Sequence, residues 1–158
     1  MIEALEAEYM GKMLVTFLVS MVPVMELRGG IPFGAALGLD PLSASIAAIL
    51  GNLVPVPFIM LFVRHVFNWM RKYERTAALV DRFERKAHIK GETVKKYQNL
   101  GLCILVAIPF PGTGAWTGAL VASFLEMRIR KALIPMITGV CIAAFIVSCV
   151  TWGIAALL

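Results

Sequence analysis

Two stretches of the chain lack charged residues and are long enough to cross a membrane. They cover 41–63 and 132–158 and contain 23 and 27 residues. A membrane-spanning helix needs about 20 apolar residues, because each residue adds only about 1.5 Å to its length. We therefore predict a span in each stretch. Pro55 and Pro57 should kink the first span near its end, whereas Pro135 lies near the start of the second, where proline is better tolerated.

Two further apolar stretches, 13–39 and 97–125, are interrupted near their centres by residues that disfavour a helix. Residues 26–32 interrupt the first stretch and 109–114 the second, and each interruption combines proline with glycine. Proline removes a backbone donor, and glycine costs about 1 kcal/mol against alanine. The limbs on either side would cross about half of the hydrocarbon core. This length predicts two re-entrant hairpins; two ordinary kinked spans are the alternative.

The charged residues are concentrated in one segment between the two halves of the chain. Residues 64–96 hold ten of the 15 Lys and Arg and four of the ten Asp and Glu. Basic segments next to membrane spans remain on the cytoplasmic side. If 97–125 is re-entrant, the basic cluster at 128–131 returns to that side and both termini are extracytoplasmic. Apolar residues recur every three or four positions over 66–87, which predicts an amphipathic cytoplasmic helix.

The composition agrees with an all-α integral membrane protein that forms a single domain over 1–158. Hydrophobic residues make up 59% of the chain and charged residues 16%, whereas soluble domains have about 25% charged residues. The net charge of +5 does not indicate nucleic-acid binding, because no RNA-binding or zinc-finger spacing is present. The three cysteines form no CxxC pair, and no catalytic motif occurs. We therefore expect no enzyme activity, no metal and no cofactor.

In this arrangement each half of the chain is a hairpin followed by a span. The halves, 1–63 and 97–158, would have opposite orientations in the membrane, which is the inverted-topology repeat common among transporters. An offset of 86 residues aligns Pro23 with Pro109. An offset of 80 instead aligns Gly34 with Gly114 and Gly38 with Gly118. Because these registers disagree, the repeat is predicted mainly from hydropathy and charge.

Glu26 and Arg28 are the only charged residues between positions 13 and 39. A charged side chain inside the hydrocarbon costs at least about 2.5–3.5 kcal/mol, so it indicates a functional role. On one helix the two side chains would point apart, but in a turn with Gly29 and Gly30 they can converge. Glu26 would accept a proton or cation, and Arg28 would hold an anion such as phosphate. The alternative is an internal ion pair that stabilises the hairpin tip.

The other candidates for binding a substrate or ion lie in the two tips and in the first span. The turn at 109–114 would leave backbone amides and carbonyls free within the membrane. Asn52, in the middle of the first span, could bond a hairpin backbone or line a path, with packing as the alternative. We expect the two tips to meet near the bilayer midplane. The candidates are Glu26, Arg28, Gly29, Gly30, Pro32, Asn52, Pro109, Pro111, Gly112, Thr113 and Gly114.

Two segments carry these residues, and together they resemble a known family. They read Glu-Leu-Arg-Gly-Gly-Ile-Pro-Phe-Gly at 26–34 and Pro-Phe-Pro-Gly-Thr-Gly-Ala-Trp-Thr-Gly at 109–118. Both are similar to the signature segments of the putative small multidrug export protein family, which looks distantly similar to the DedA superfamily of lipid translocases and proton-linked membrane proteins. That resemblance implies paired re-entrant hairpins and an acidic role for Glu26. Thr113 and Gly114 stand where DedA proteins carry arginines, so Arg28 would substitute from the other hairpin.

These features predict a small secondary transporter of the bacterial or archaeal cell membrane. It would be DedA-like, with a proton as one possible coupling ion, and would move a small molecule or a lipid-linked substrate through a midplane site between the hairpins. The alternatives are an undecaprenyl-phosphate-type lipid translocase or scramblase, and a scaffold that does not transport. We expect membrane lipids and a small-molecule or lipid-phosphate substrate as partners. A homodimer or larger assembly is expected, because two spans and two hairpins form only a small wall.

Overall fold

A computed structural model of the chain describes residues 2–70, 91–110 and 112–156. Within these residues it contains α-helices and no β-strand, which confirms the predicted all-α class. The amphipathic helix predicted over 66–87 lies largely outside the described residues. The helices are α1 (Ile2–Met21), α2 (Glu26–Ala36), α3 (Pro41–Leu53), α4 (Pro55–Met70), α5 (Gly91–Ala107), α6 (Ala115–Phe124) and α7 (Ile129–Ala155).

Two helical stretches of the described chain are long and apolar enough to cross a membrane. They are Pro41–Val66, formed by α3 and α4, and Ile129–Ala155, which is α7. Val54 separates α3 from α4, directly before Pro55. A proline has no N–H to donate to the carbonyl four residues earlier, so the interruption falls where the kink was predicted. Phe62 and Phe145 on these stretches are 69% and 72% exposed, as expected for side chains that face lipid.

The helices before each span form two helical hairpins, α1–α2 and α5–α6. The open end of the first hairpin, opposite its turn, lies at the start of α3. There the Tyr9 hydroxyl donates to the Asp40 carboxylate and lies 2.7 Å from Ser43 Oγ. The second opens at the other end of that stretch, where the Arg64 guanidinium donates to the Met127 carbonyl. The two hairpins therefore open at opposite ends of the α3–α4 stretch.

The turn of the first hairpin lies earlier in the chain than the sequence predicted. Residues 22–25 form the turn, and Glu26 is already the first residue of α2, so the predicted interruption at 26–32 is wrong. Gly30 explains why the helix persists: a Cβ there would lie only 3.0 Å from the Ser20 Cβ, so the glycine allows α2 to pack closely on α1. This packing outweighs the poor helix propensity of glycine and of Pro32.

The second interruption and the hairpin limbs show further differences from the prediction. Residues 108–110 and 112–114 are non-helical, which confirms the predicted interruption at 109–114 apart from Pro111, which lies outside the described residues. The first limbs are longer than predicted, since α1 begins at Ile2 and α5 at Gly91 rather than near positions 13 and 97.

Both hairpins end in the same capping structure. Gly38 and Glu126 follow the ends of α2 and α6 with left-handed φ angles of 83° and 52°. In each case the next residue, Leu39 or Met127, donates its N–H to the carbonyl five residues earlier at 3.0 Å. Both of these side chains are buried, as in a Schellman motif. The two motifs are 88 residues apart, which differs from both predicted offsets.

The closest contact between each first limb and its span is also repeated. Gly51 in α3 packs against the carbonyl of Phe17, and Gly139 in α7 packs against the carbonyl of Cys103. A side chain at either glycine would collide with backbone, so both positions allow close helix packing. The two glycines are 88 residues apart, whereas the two carbonyls are 86 apart. The predicted offset of 86 thus relates the two first-limb carbonyls, whereas the glycines of the spans are related by an offset of 88.

The second limbs connect the two halves. α2 packs against α3 and α7, and α6 packs against α4. The largest buried apolar side chains come from both halves and form one core. They are Ile31, Val56, Met60, Val106, Met136 and Val140.

Candidate functional site

The N-terminus of α2 contacts the turn of the second hairpin. The Arg28 guanidinium donates to the carbonyls of Phe110 and Thr113, and its Nη2 lies 3.1 Å from Thr113 Oγ1. On the other side of the turn, the Trp116 backbone N–H donates to Glu26 Oε1 at 3.2 Å. Two charged side chains of one hairpin are thus bound by backbone groups of the other. The predicted contact of Glu26 and Arg28 with the second turn is therefore present, whereas its position near the bilayer midplane stays a prediction.

Glu26 and Arg28 converge although they lie on the same helix. Residues two apart on a helix normally point to different sides. Here Glu26 has a left-handed φ of 47°, which turns its side chain away from the usual helical direction. Its Oε2 therefore lies 3.8 Å from Arg28 Nη2. The prediction that a Gly-Gly turn brings them together is wrong, because Gly29 and Gly30 lie within α2.

The conformation of Glu26 is itself informative. Left-handed φ angles are uncommon outside glycine, and a strained residue of this kind costs of the order of 1–3 kcal/mol. Such residues cluster at functional sites, where the surrounding structure holds them in place. Glu26 is also only 5% exposed. A buried carboxylate in a strained conformation supports a role beyond packing.

Gly114 provides the space that the Glu26 carboxylate occupies. A Cβ at Gly114 would lie 2.7 Å from the carboxylate carbon, which is too close for non-bonded atoms. Its φ of 135° is also a conformation that only glycine adopts readily. Gly114 directly precedes α6, whose first amides have no partner within the helix and carry partial positive charge. The carboxylate therefore lies where a negative charge is stabilised.

Thr113 holds the second turn in the shape that Arg28 recognises. Its Oγ1 accepts from the Phe110 N–H at 3.2 Å and lies within donating distance of the Ile108 carbonyl, at 2.7 Å. Thr117 Oγ1 donates to the carbonyl of Gly112 at 3.0 Å, and Gly112 has a φ of 88°. These bonds fix the turn so that two of its carbonyls face the guanidinium. Since those carbonyls accept from Arg28, its predicted anion would have to displace them.

Three predicted residues of the first tip lie in α2 but do not form the charged contact. Gly29 faces the side chain of Met25, since a Cβ there would lie 3.1 Å from the Met25 Cβ. Gly30 packs against Ser20 of α1. Pro32 is exposed. All three are therefore placed as packing or surface positions around the tip.

Asn52 is fully buried in α3, and neither polar atom of its amide has a hydrogen-bond partner among the described residues. The same holds for the indole Nε1 of Trp116. An unpaired buried polar group costs about 1–3 kcal/mol, so packing alone does not account for the choice of asparagine.

Pro109 is partly buried at the start of the second turn, and Pro111 lies outside the described residues.

The sequence did not predict which backbone groups complete the site. The Phe110 carbonyl and the Trp116 amide bind the two charges, and both are main-chain groups that any residue type would supply. The only signal was the Pro–Gly composition of the turn, which indicates free backbone groups without saying which ones. Within the described residues, no group of three or more His, Cys, Asp or Glu is placed to hold a metal ion.

Comparison with known proteins gives one family. Residues 26–146 match the model of a family described as Putative small multi-drug export protein. The match begins at the first residue of α2 and includes the second turn, the α3–α4 stretch and most of α7. Neither the curated proteins nor the solved structures gave a match. A relationship to the DedA superfamily stays a prediction.

Proposed function

Because the chain belongs to the family described as Putative small multi-drug export protein, we propose that it is a membrane transporter whose coupling ion or substrate binds between the two hairpin tips. The family and the two apolar stretches support a membrane protein that exports rather than an enzyme. The observation that carries the proposal is the contact of Glu26 and Arg28 with the turn at Phe110 and Thr113. A buried carboxylate beside a half-buried guanidinium, both within an apolar stretch of the chain, is typical of transport sites.

The proposed architecture is an inverted repeat of two re-entrant hairpins within a single membrane domain. Its support is the repeated order of helices, the two Schellman motifs 88 residues apart and the two glycine crossings. The opposite orientation is supported by the contacts of Tyr9 with Asp40 and of Arg64 with Met127, at the two ends of one span. With the basic segments inside, the Arg64 end is cytoplasmic and the Tyr9 end extracytoplasmic.

Transport requires that the tips separate, because the site is closed when they touch. Protonation of Glu26 would remove its negative charge and weaken both its bond to the Trp116 amide and its attraction to Arg28. The turn would then be held by the bonds of Arg28 alone, and rocking of one hairpin against the spans would break these and expose the site to alternate sides of the membrane. A proton is therefore the coupling ion that this chemistry favours. We further propose that the protein works among membrane lipids as a homodimer or larger assembly.

The test is transport of ethidium, a cationic drug, in proteoliposomes with an imposed pH gradient. Wild type should move ethidium only when the gradient is present, and Glu26→Gln should lower the rate by about tenfold or more, the effect of losing roughly 1.4 kcal/mol of stabilisation. Glu8→Gln is the matched control, since Glu8 is an exposed carboxylate paired with Lys12 at 2.8 Å. Equal rates for wild type and Glu26→Gln, with both variants folded, would contradict the role of Glu26.

A further inference from the structure

A polar cavity lies at the open end of the second hairpin, away from the tips. Its volume is about 440 Å³, which is within the usual range for small-molecule sites. Its lining contains two cations, two side-chain amides and one carboxylate, and the Arg64 guanidinium bonds a main-chain carbonyl at its edge. The lining residues are Gln98, Asn99, Leu125, Glu126, Met127, Arg128 and Lys131.

The corresponding end of the first hairpin is closed by its own side chains. Asp40 precedes α3, and its Oδ2 accepts from the Ser43 N–H at 3.0 Å, which caps the helix. The Tyr9 hydroxyl donates to the same carboxylate and lies 2.7 Å from Ser43 Oγ. The Asp40 carboxylate therefore accepts hydrogen bonds at the start of the first span, so no external anion is needed there.

The second hairpin replaces this anion with cations. At the same offset of 88 residues, Arg128 stands in the place of Asp40 and Lys131 in the place of Ser43. Arg128 is the N-cap of α7, but a guanidinium has no acceptor atom, and the Arg128 side chain makes no capping hydrogen bond. Three kinds of donor thus line this end: a guanidinium, an ammonium and carboxamide N–H groups. Together with Arg64, the three cations exceed the single carboxylate of Glu126.

The position of the cavity indicates which chemical group it would bind. α7 is a candidate membrane span that begins at Ile129, so the cavity lies where that span meets the membrane surface. Lipid phosphates lie at this level, and arginine and lysine are the side chains that bind phosphate. We propose that this cavity binds a phosphate group, supplied by the headgroup of an anionic lipid or by a free phosphate compound on the basic side of the membrane.

The test measures ligand binding to the purified full chain in detergent, by native mass spectrometry and by melting temperature. The probes are phosphatidylglycerol, phosphatidylcholine and inorganic phosphate. The site variant is Arg128→Gln with Lys131→Gln, and Arg130→Gln is the matched control, because Arg130 lies in the same turn but does not line the cavity. Arg128→Asp is a second variant, which places the acceptor found in the first half at this cap and needs no ligand to fold.

We expect wild type and Arg130→Gln to bind phosphatidylglycerol alike, and both site variants to bind it about tenfold more weakly or worse, since each hydrogen bond to a charged group contributes roughly that factor. If the site variants lose phosphatidylglycerol binding and inorganic phosphate does not bind the wild type, the ligand is a lipid headgroup. Inorganic phosphate binding with the same dependence on the variants would identify a free phosphate compound. Binding that is equal in all variants, or equal for phosphatidylcholine and phosphatidylglycerol, would overturn the proposal.

Discussion

The two hairpins share one framework and differ at their tips. In the first, a four-residue turn leads directly to Glu26, which is left-handed and charged. At the position 88 residues later, the second has Gly114, which is the last residue of a longer turn. One hairpin therefore supplies charged side chains, and the other supplies backbone groups and the space to receive them. The comparison shows how two hairpins with the same order of helices can form one contact when one presents charged side chains and the other presents backbone groups.

Among these changes, removal of Arg28 should lower the melting temperature and the transport rate the most. Arg28→Ala leaves the buried Glu26 carboxylate without its cation; breaking a fully buried pair costs about 3–5 kcal/mol, and the cost here is smaller because the Arg28 side chain is 22% exposed. We expect a large fall in melting temperature together with loss of transport. Lys12→Ala is the control, because its pair with Glu8 is exposed and such pairs contribute about 0–1 kcal/mol.

The double variant Glu26→Leu with Arg28→Leu distinguishes a functional pair from a structural one. Replacing both charges by apolar groups should recover most of the stability lost by Arg28→Ala, because no buried charge is left unpaired. Transport should remain absent. A stable double variant that still transports would show that the pair only holds the tips together.

Gly114→Ala should have the next largest effect. The added Cβ would collide with the Glu26 carboxylate, and the φ of 135° would be strained, at a cost of about 1–3 kcal/mol for the strain alone. Gly112→Ala is the matched control: its φ of 88° is also strained, but an added Cβ would meet nothing within 4 Å. Melting temperature and ethidium transport should both fall further for Gly114→Ala. Equal losses in the two variants would mean that backbone strain, and not contact with Glu26, explains the glycine.

Asp40→Asn tests the closed end of the first hairpin and should have the smallest effect. Hydrogen bonds from the Tyr9 hydroxyl and the Ser43 amide lower the pKa of Asp40 to about 2. A carboxylate with a lowered pKa stabilises the fold above its unfolded pKa of about 4, and this contribution is lost as the pH falls toward 2. The wild type should therefore melt slightly higher than Asp40→Asn at neutral pH. The difference should shrink steadily as the pH is lowered from about 4 to 2, and a constant difference would contradict the assignment.

The sequence predicted the parts of the fold that depend on hydropathy and buried charge. The two candidate spans and the contact between the tips follow from long uncharged stretches and from two charges that need partners. The position of the first turn did not follow, because Gly30 and Pro32 disfavour a helix locally, whereas close packing on Ser20 stabilises one. The offset between the two hairpins was also hidden, since it changes from 86 residues in the first limbs to 88 after the turns. The left-handed conformation of Glu26 and its bond to the Trp116 amide, 90 residues away, also have no signal in the local sequence.

The central claim is that the tips touch in the closed state and must separate during transport. It can be tested directly by placing cysteines at Met25 and Phe110, in a protein whose three cysteines are replaced, and joining them with a short cleavable crosslinker. Met25 lies one helical turn before Arg28, and Phe110 bonds Arg28 only through its carbonyl, so neither side chain belongs to the charged contact. We predict that crosslinking stops ethidium transport and that cleavage of the crosslinker restores it. Undiminished transport by the crosslinked protein, or failure of the crosslink to form, would contradict the account.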